Sequence, residues 1–341
     1  MKKILLAISF LSSRLYRTKR IPGGYMALDP QARAVLDQMA ETGGPPINEL
    51  SVNDAREASA ALAAMQDLPE PVGSVEDRTL LGPGGGIPVR IYVPFGKGPF
   101  PVLMYFHGGG WVIGDLESSD GLCRILTNAA GCIVVSVDYR LAPEYPFPAA
   151  ADDAYHATLW AATNASSFGG DPSRIALCGD SAGGNLAAVV AQIARDRGKP
   201  AICFQLLIYP VTDAACDTPS YSENAEGYFL SRDAMQWFWN HYVQSDADRS
   251  HPYASPLRAS NLAGLPAALV ITAEFDPLRD EGERYAERMR AAGIPVQLIR
   301  YDGMIHGFFT MSAMIDRGRI AIQQSAAALR TAFKLPPTDR F

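Results

Sequence analysis

Apolar runs of strand length alternate with amphipathic stretches of helical length along most of the chain. Several of these runs, such as CIVVSV at 132–137, are apolar throughout, as expected where helices cover both faces of a mainly parallel sheet. The pattern therefore predicts an α/β architecture. The predicted strands cover residues 89–93, 101–106, 132–137, 174–178, 202–208, 267–272 and 295–301, and the predicted helices lie near 118–130, 150–163, 181–196, 280–292 and 318–333.

Two stretches depart from this alternation. Residues 26–70 have a helical pattern, which begins where Asp29 can cap a helix and Pro30 can take its first position. Residues 213–250 interrupt the alternation between two predicted strands and contain a cluster of aromatic residues. We expect both stretches to fold over the strand ends as a cap on one catalytic domain, residues 71–341.

The first 25 residues form a separate segment. Two lysines followed by a run of about ten mostly apolar residues resemble the start of a secretory signal, but the run is too short to span a bilayer. Four basic residues follow it, and no A-x-A-like cleavage site is present. The sequence therefore predicts no stable membrane insertion, and leaves open whether residues 1–25 are a leader or an N-terminal extension.

The composition is that of a globular protein and excludes several classes of partner. The chain has 341 residues, of which 48% are hydrophobic and 19% are charged. Its net charge of -6 argues against nucleic acid as a partner, because a phosphate backbone requires a basic surface. The five cysteines form no CxxC pair, which predicts reduced thiols in a cytoplasmic protein. Since no HExxH motif or zinc-like cysteine spacing occurs, we expect no metal and no organic cofactor.

A candidate nucleophile lies in the stretch LCGDSAGGNLAA. Residues 179–183 fit the pattern G-x-S-x-G, between a predicted strand and a predicted helix. In this context the glycines permit a sharp turn that exposes the hydroxyl of Ser181. The following helix directs backbone N–H groups toward negative charge that develops beside the nucleophile.

The candidate base is His306, one of five histidines. It follows the last predicted strand, between Gly303 and Gly307, so it should lie beyond the carboxyl end of that strand. The predicted orienting carboxylate is Asp276, in the loop after the preceding strand, with Glu274 and Asp280 as alternatives.

The motif HGGGW supplies donors for an oxyanion. Consecutive glycines allow main-chain N–H groups to approach a substrate without a Cβ in the way. We assign the oxyanion hole to the N–H groups of Gly109, Gly110 and Ala182. Gly108 shapes the turn, and His107 is expected to organise the loop by a hydrogen bond. The order serine, aspartate, histidine along the chain is that of α/β hydrolases.

Together these motifs resemble the hormone-sensitive-lipase-like esterases, bacterial family IV of the lipolytic enzymes, in the GDSAG branch. The resemblance covers residues 26–335 and implies the α/β-hydrolase fold, a helical cap and frequent dimers, hence a possible homodimer here. The matching motifs are HGGGW at 107–111, DYRLAPEYPFPAA at 138–150, GDSAGGNLAA at 179–188, DPLRDEG at 276–282 and IHGF at 305–308.

The sequence therefore predicts a carboxylesterase that acts on small-molecule esters of short to medium acyl length. Trp111 and Trp237 are candidate substrate contacts. The aromatic cluster from Trp237 to Tyr242 would suit either an acyl pocket or a buried face of the cap. An amidase, a lactonase or an acetyl hydrolase would use the same triad and stays open as an alternative. A non-catalytic receptor on this scaffold, as in plant gibberellin receptors, is disfavoured because such receptors lack the catalytic histidine that His306 provides.

Overall fold

A single eight-stranded sheet runs through the protein, in the order β1-β2-β4-β3-β5-β6-β7-β8. The structure is a computed structural model that describes residues 27–63 and 69–336. Strands β3 to β8 are parallel, and β1 and β2 form an antiparallel hairpin at one edge. The strands are β1 (Ser74–Gly82), β2 (Gly85–Val93), β3 (Phe100–Phe106), β4 (Ile133–Val137), β5 (Gly170–Asp180), β6 (Phe204–Ile208), β7 (Ala268–Phe275) and β8 (Val296–Ile305).

Helices cover both faces of this sheet, which confirms the predicted α/β fold. In β3, Val102 and Met104 face one hydrophobic core and Leu103 and Tyr105 face the other, as the two-residue period of a strand requires. The helices are α1 (Pro30–Thr42), α2 (Val52–Ala63), α3 (Asp120–Ala130), α4 (Ala149–Asn164), α5 (Ala182–Arg197), α6 (Pro219–Glu223), α7 (Arg232–Tyr242), α8 (Asp246–Ser250), α9 (Arg279–Ala291) and α10 (Asp316–Ala332). Helices α4, α5 and α9 pack on one face, and α3 and α10 pack on the other.

Strand β1 is the element that the hydrophobic pattern does not predict. Most of its side chains are exposed, and Leu80 is its one buried residue. The strand lies at the sheet edge, where it pairs with β2 through a tight turn at Pro83 and Gly84. An edge strand that faces solvent has no continuous apolar run, so hydrophobicity alone does not reveal it.

The two stretches outside the alternation are helical where the structure describes them. Helix α1 begins at Pro30, and the Asp29 side chain accepts a hydrogen bond of 2.8 Å from the amide of Gln31. Residues 213–250 contain α6, α7 and α8. The N-terminal segment 1–25 lies outside the described residues, and the division into cap and catalytic domain stays a prediction.

Candidate active site

Ser181 lies in a strained turn between β5 and α5. Its φ is +55° and its ψ is -118°, a combination that L-residues rarely adopt. The turn requires glycine on either side, because a Cβ on Gly183 would lie 1.8 Å from the carbonyl oxygen of Phe106 and one on Gly179 would lie 2.2 Å from that of Gly183. The amide of Ser181 donates a 2.9 Å hydrogen bond to the carbonyl of Ile208, which ties the turn to β6.

His306 and Asp276 meet Ser181 at the carboxyl ends of three strands. His306 Nε2 is 3.0 Å from Ser181 Oγ, and His306 Nδ1 is 2.7 Å from Asp276 Oδ2. The two residues follow β8 and β7, and the three side chains are at most 7% exposed. Asp276 Oδ1 accepts a 2.9 Å hydrogen bond from the amide of Leu278, so both oxygens of the carboxylate are engaged. The geometry is that of a nucleophile, a base and an orienting carboxylate.

The two alternative carboxylates accept hydrogen bonds from other groups. Glu274 Oε2 accepts a 2.7 Å bond from the amide of Gly303. Asp280 pairs with Arg279 at 2.8 Å and accepts a 2.8 Å bond from the amide of Ser220. Of the three candidates, Asp276 is therefore the carboxylate that the structure places against His306.

The glycine loop after β3 lies beside the serine turn, and Asp180 connects the two. The Asp180 carboxylate accepts a 3.0 Å bond from the amide of Gly108 and a 2.6 Å bond from the hydroxyl of Tyr105. Burial raises the pKa of the Asp180 carboxyl, and the Tyr105 hydrogen bond acts in the opposite direction. Because the Gly108 amide is already engaged, the next two amides, those of Gly109 and Gly110, are the ones available for a substrate oxygen. Within the described residues neither of them has an acceptor.

Ala182 is placed to supply the third donor. It is the first residue of α5, directly after Ser181, and it is buried. The first N–H groups of a helix have no partner inside the helix. The Ala182 amide therefore presents an N–H group and the positive end of the helix dipole beside the serine hydroxyl.

His107 is buried under the glycine loop and is not positioned as a second base. Its Nδ1 lies 2.7 Å from the carbonyl of Gly108, and its ring stacks on Tyr139 with 4.3 Å between centroids. Burial lowers the pKa of His107 to about 4, so the ring is neutral near pH 7 and Nδ1–H can donate to the carbonyl. This arrangement fits the predicted role of organising the loop.

Substitution of the glycine loop should slow turnover. In Gly109→Val, a Cβ would lie 2.2 Å from the carbonyl oxygen of Ile113, at a φ of +108°, so the loop must shift and its donors with it. We expect kcat to fall about a hundredfold or more, with a smaller change in KM, because lost oxyanion donors act on the transition state. Steady-state kinetics on a soluble ester measures both constants.

Gly198→Val is the matched control. Gly198 also has a positive φ, +69°, but no atom lies within 4 Å of its Cβ position, and it follows the far end of α5. This variant carries a similar backbone strain without touching the loop, so kcat per folded molecule should be unchanged. An effect of Gly109→Val on KM alone would instead assign the loop to substrate binding.

A cavity of about 810 Å³ opens above Ser181 and His306. The stretch around α1 and α2 contributes Met39 and Leu50 to its walls, and the insertion before β7 contributes Met235 and Phe238. A third wall comes from the loop after His306. Residues from both stretches, 26–70 and 213–250, thus border the same apolar cavity over the serine hydroxyl.

The expectation that Trp111 and Trp237 contact substrate needs correction, because neither side chain lines this cavity. Trp111 is fully buried and stacks on Tyr242 with 4.1 Å between ring centroids. It therefore packs the glycine loop against α7 and does not face the cavity. Trp237 lies half-buried against His241. The face of α7 that borders the cavity carries Met235 and Phe238 instead.

The described residues show neither a candidate metal site nor a membrane span. In residues 27–63 and 69–336, no group of three or more His, Cys, Asp or Glu side chains is arranged to hold a metal ion. Within the same ranges, no helix is both long enough and apolar enough to cross a bilayer. The five cysteines are all free thiols.

Comparison with known proteins places this site in a family. The sequence profile of the alpha/beta hydrolase fold matches residues 103–310. The chain belongs to the alpha/beta hydrolase family. The match spans the glycine loop, Ser181, Asp276 and His306, and it confirms the predicted fold.

Similar members of the alpha/beta hydrolase family are ester hydrolases by name. The carboxylic ester hydrolase LipN of Mycobacterium tuberculosis is 43% identical over 313 residues, covering 89% of this chain and 82% of its own length. An ethyl acetate hydrolase of Pseudomonas putida is 38% identical over 318 residues, covering 89% of this chain and 99% of its own. The crystal structure of a thermostable esterase from Pseudomonas putida superposes with a TM-score of 0.88 at 41% identity, covering 93% of this chain and all of that one.

Proposed function

We propose that this protein is a carboxylesterase that hydrolyses short- to medium-chain esters through an acyl-enzyme on Ser181. The observation that carries the proposal is the relay from Ser181 Oγ to His306 Nε2, at 3.0 Å, and from His306 Nδ1 to Asp276, at 2.7 Å. The relay lies at the floor of an apolar cavity, where a small ester can be enclosed. The similar ester hydrolases support the same chemistry.

In the first half of the reaction the serine is acylated. His306 Nε2 takes the proton of the Ser181 hydroxyl while Oγ attacks the ester carbonyl carbon. The carbonyl oxygen becomes an oxyanion, stabilised by the amides of Gly109, Gly110 and Ala182. Protonated His306 then gives its proton to the alkoxy oxygen, the C–O bond breaks, and the alcohol leaves.

In the second half, water releases the acid. His306 takes a proton from water, the hydroxide adds to the acyl carbon, and the same three amides stabilise the new oxyanion. Collapse of this intermediate breaks the bond to Ser181 Oγ, which recovers a proton from His306. Asp276 stays ionised throughout and stabilises the imidazolium that forms twice in each cycle.

The substrate range follows from the shape of the cavity. We assign the residue ranges 26–70 and 213–250 to a cap that roofs the strand ends, so acyl chains enter a bounded apolar space. Each methylene buried there should contribute about 0.8 kcal/mol until the space is full, after which overpacking opposes further gain.

The relative kcat/KM for p-nitrophenyl esters should therefore rise and then fall with acyl length. We expect the maximum at roughly C4 to C8, with a gain of about fourfold per methylene on the rising side. A series from acetyl to palmitoyl esters measures the profile, and the p-nitroanilide of the best acyl group, run beside it, separates esterase from amidase activity. A profile still rising at palmitoyl, with activation at lipid interfaces, would indicate a lipase with an open site.

The proposal also includes the cellular compartment in which the protein acts. Free thiols at all five cysteines suit a reducing environment, so we assign the protein to the cytoplasm. Cell fractionation tests this assignment, and recovery of a processed form from outside the cytoplasm would contradict it.

A further inference from the structure

Phe229 has a backbone conformation that bulky residues avoid. Its φ is +66°, and the amide of Leu230 donates a 2.8 Å hydrogen bond to the carbonyl of Tyr228. These features define a three-residue γ-turn centred on Phe229, of the positive-φ kind that is rare and strained. Strain of this kind persists only where the surroundings impose it, and it concentrates at functional sites.

The residues on both sides of Phe229 are anchored. The Tyr228 ring packs on Phe275, at the end of β7, with 4.9 Å between centroids. The Leu230 side chain is buried, and the amide of Arg232 closes the segment with a 3.0 Å bond to the carbonyl of Ala225. With its neighbours held, the turn forces the Phe229 side chain outward, where it is 43% exposed and lines the cavity above the serine.

The Phe229 ring lies directly over the residue that follows His306. A Cβ built on Gly307 would be 3.0 Å from Phe229 Cε1 and 3.1 Å from Met311 Cε. The ring therefore covers the histidine side of the cavity, together with Met311. Exposed apolar surface has an unfavourable hydration free energy, which is relieved when another group packs on it. The position of the ring at the cavity wall therefore points to contact with bound substrate.

The histidine side of the site is the side of the leaving alcohol. His306 Nε2 must come within hydrogen-bond distance of the alkoxy oxygen in order to protonate it, whereas the carbonyl oxygen turns toward Gly109, Gly110 and Ala182. The carbon atoms attached to the alkoxy oxygen therefore extend past His306 and Gly307.

We propose that Phe229 is a specificity-determining residue for the alcohol moiety of the ester, and that it favours alcohols with an aromatic or extended apolar group. This inference rests on the proposed esterase function and specifies its substrate class. The ring packs against the alcohol and contributes little to the recognition of the acyl chain. The strained turn is what holds the ring in this place.

Two ester series separate the alcohol side from the acyl side. In the first, the acyl group is acetyl and the alcohol is ethanol, butanol or benzyl alcohol. In the second, the alcohol is ethanol and the acyl group runs from acetyl to octanoyl. Hydrolysis of each ester is followed by pH-stat titration, and the quantity compared between proteins is the ratio of kcat/KM values within one series.

In Phe229→Ala, the benzyl-to-ethyl acetate ratio should fall about three- to tenfold, the range expected for a lost aromatic contact. The ratios within the acyl series should stay within about twofold of those of the unsubstituted protein. Phe229→Leu, which keeps apolar bulk without the ring, should give an intermediate fall. Phe95→Ala is the matched control, because Phe95 is 66% exposed and lies outside the cavity lining, and it should change neither series.

Phe229→Gly distinguishes the effect of losing the aromatic ring from the effect of backbone strain at this position. Glycine adopts a positive φ without penalty, so this variant should melt at least as high as Phe229→Ala while showing the same fall in the alcohol ratio. An alcohol ratio that stays within twofold or rises in Phe229→Ala would overturn the assignment, as would an equal change in both series. The two proposals fail on different results: an unsubstituted protein that hydrolyses no ester would contradict the proposed function, whereas unchanged ratios in active variants would overturn only the assignment of Phe229.

Discussion

Ser181→Ala should abolish nearly all ester hydrolysis while leaving the protein folded. Removal of Oγ deletes the nucleophile, and the 7% exposed side chain leaves only a small gap in the wall of an existing cavity. We expect kcat to fall by about 10⁴- to 10⁶-fold, the range found when one member of a catalytic triad is removed. A continuous assay with a p-nitrophenyl ester, together with a thermal melt of the same sample, measures activity and folding.

A matched serine gives the control for this loss. Ser222 is exposed on α6, outside the cavity, so Ser222→Ala should keep full activity. Combining Ser181→Ala with His306→Ala should cost no more than Ser181→Ala alone, because the two residues act as one unit. Near-normal turnover by a folded Ser181→Ala protein would exclude the acyl-enzyme mechanism.

The strands that carry the site were predictable because they are buried on both faces. Parallel strands between two helical layers are apolar throughout, and runs such as 101–106 and 132–137 show this directly. The site follows from the same rule, since the carboxyl ends of parallel strands meet at one edge of the sheet. Ser181 and Asp276 come shortly after such a run, whereas His306 follows β8, which carries Gln297, Arg300 and Asp302 and is only partly buried.

Trp237 does not line the cavity, and helical periodicity explains why. In α7 the buried positions are Ala234, Met235, Phe238, Trp239 and Tyr242, a stripe with spacings of three and four residues. Trp237 falls outside this stripe. Counting positions along the helix would have favoured Met235 and Phe238 over Trp237 as residues that face the interior of the cap.

The role proposed for Phe229 had no signal in the sequence. The stretch AEGYFLSRD at 225–233 has no local feature that predicts a turn centred on its phenylalanine. The positive φ of Phe229 is imposed by the tertiary contacts of Tyr228 and Leu230 and not by local propensity. Propensity assigns such turns to glycine or asparagine. Residues that break local rules at a functional site become visible only in the folded structure.

Asp276→Asn should slow turnover because it should change the tautomer of His306, moving the ring proton from Nδ1 to Nε2. The Oδ1 atom accepts a hydrogen bond from the amide of Leu278, and the Oδ2 atom faces His306 Nδ1. When an amide replaces the carboxyl, its oxygen should remain with Leu278, so its NH₂ group turns toward His306. Nδ1 must then accept a hydrogen bond, the ring proton moves to Nε2, and Nε2 can no longer take the proton of Ser181.

We expect kcat of Asp276→Asn to fall about 10⁴-fold, the loss found when a triad aspartate is replaced in this way. Asp280→Asn is the control with the same chemical change: it removes an ion pair with Arg279 and should lower thermal stability more than turnover. Steady-state kinetics and thermal melts of both variants decide between the carboxylates. If Asp280→Asn lost more kcat than Asp276→Asn in folded protein, the carboxylate that orients His306 during catalysis would not be the one that contacts it in this structure.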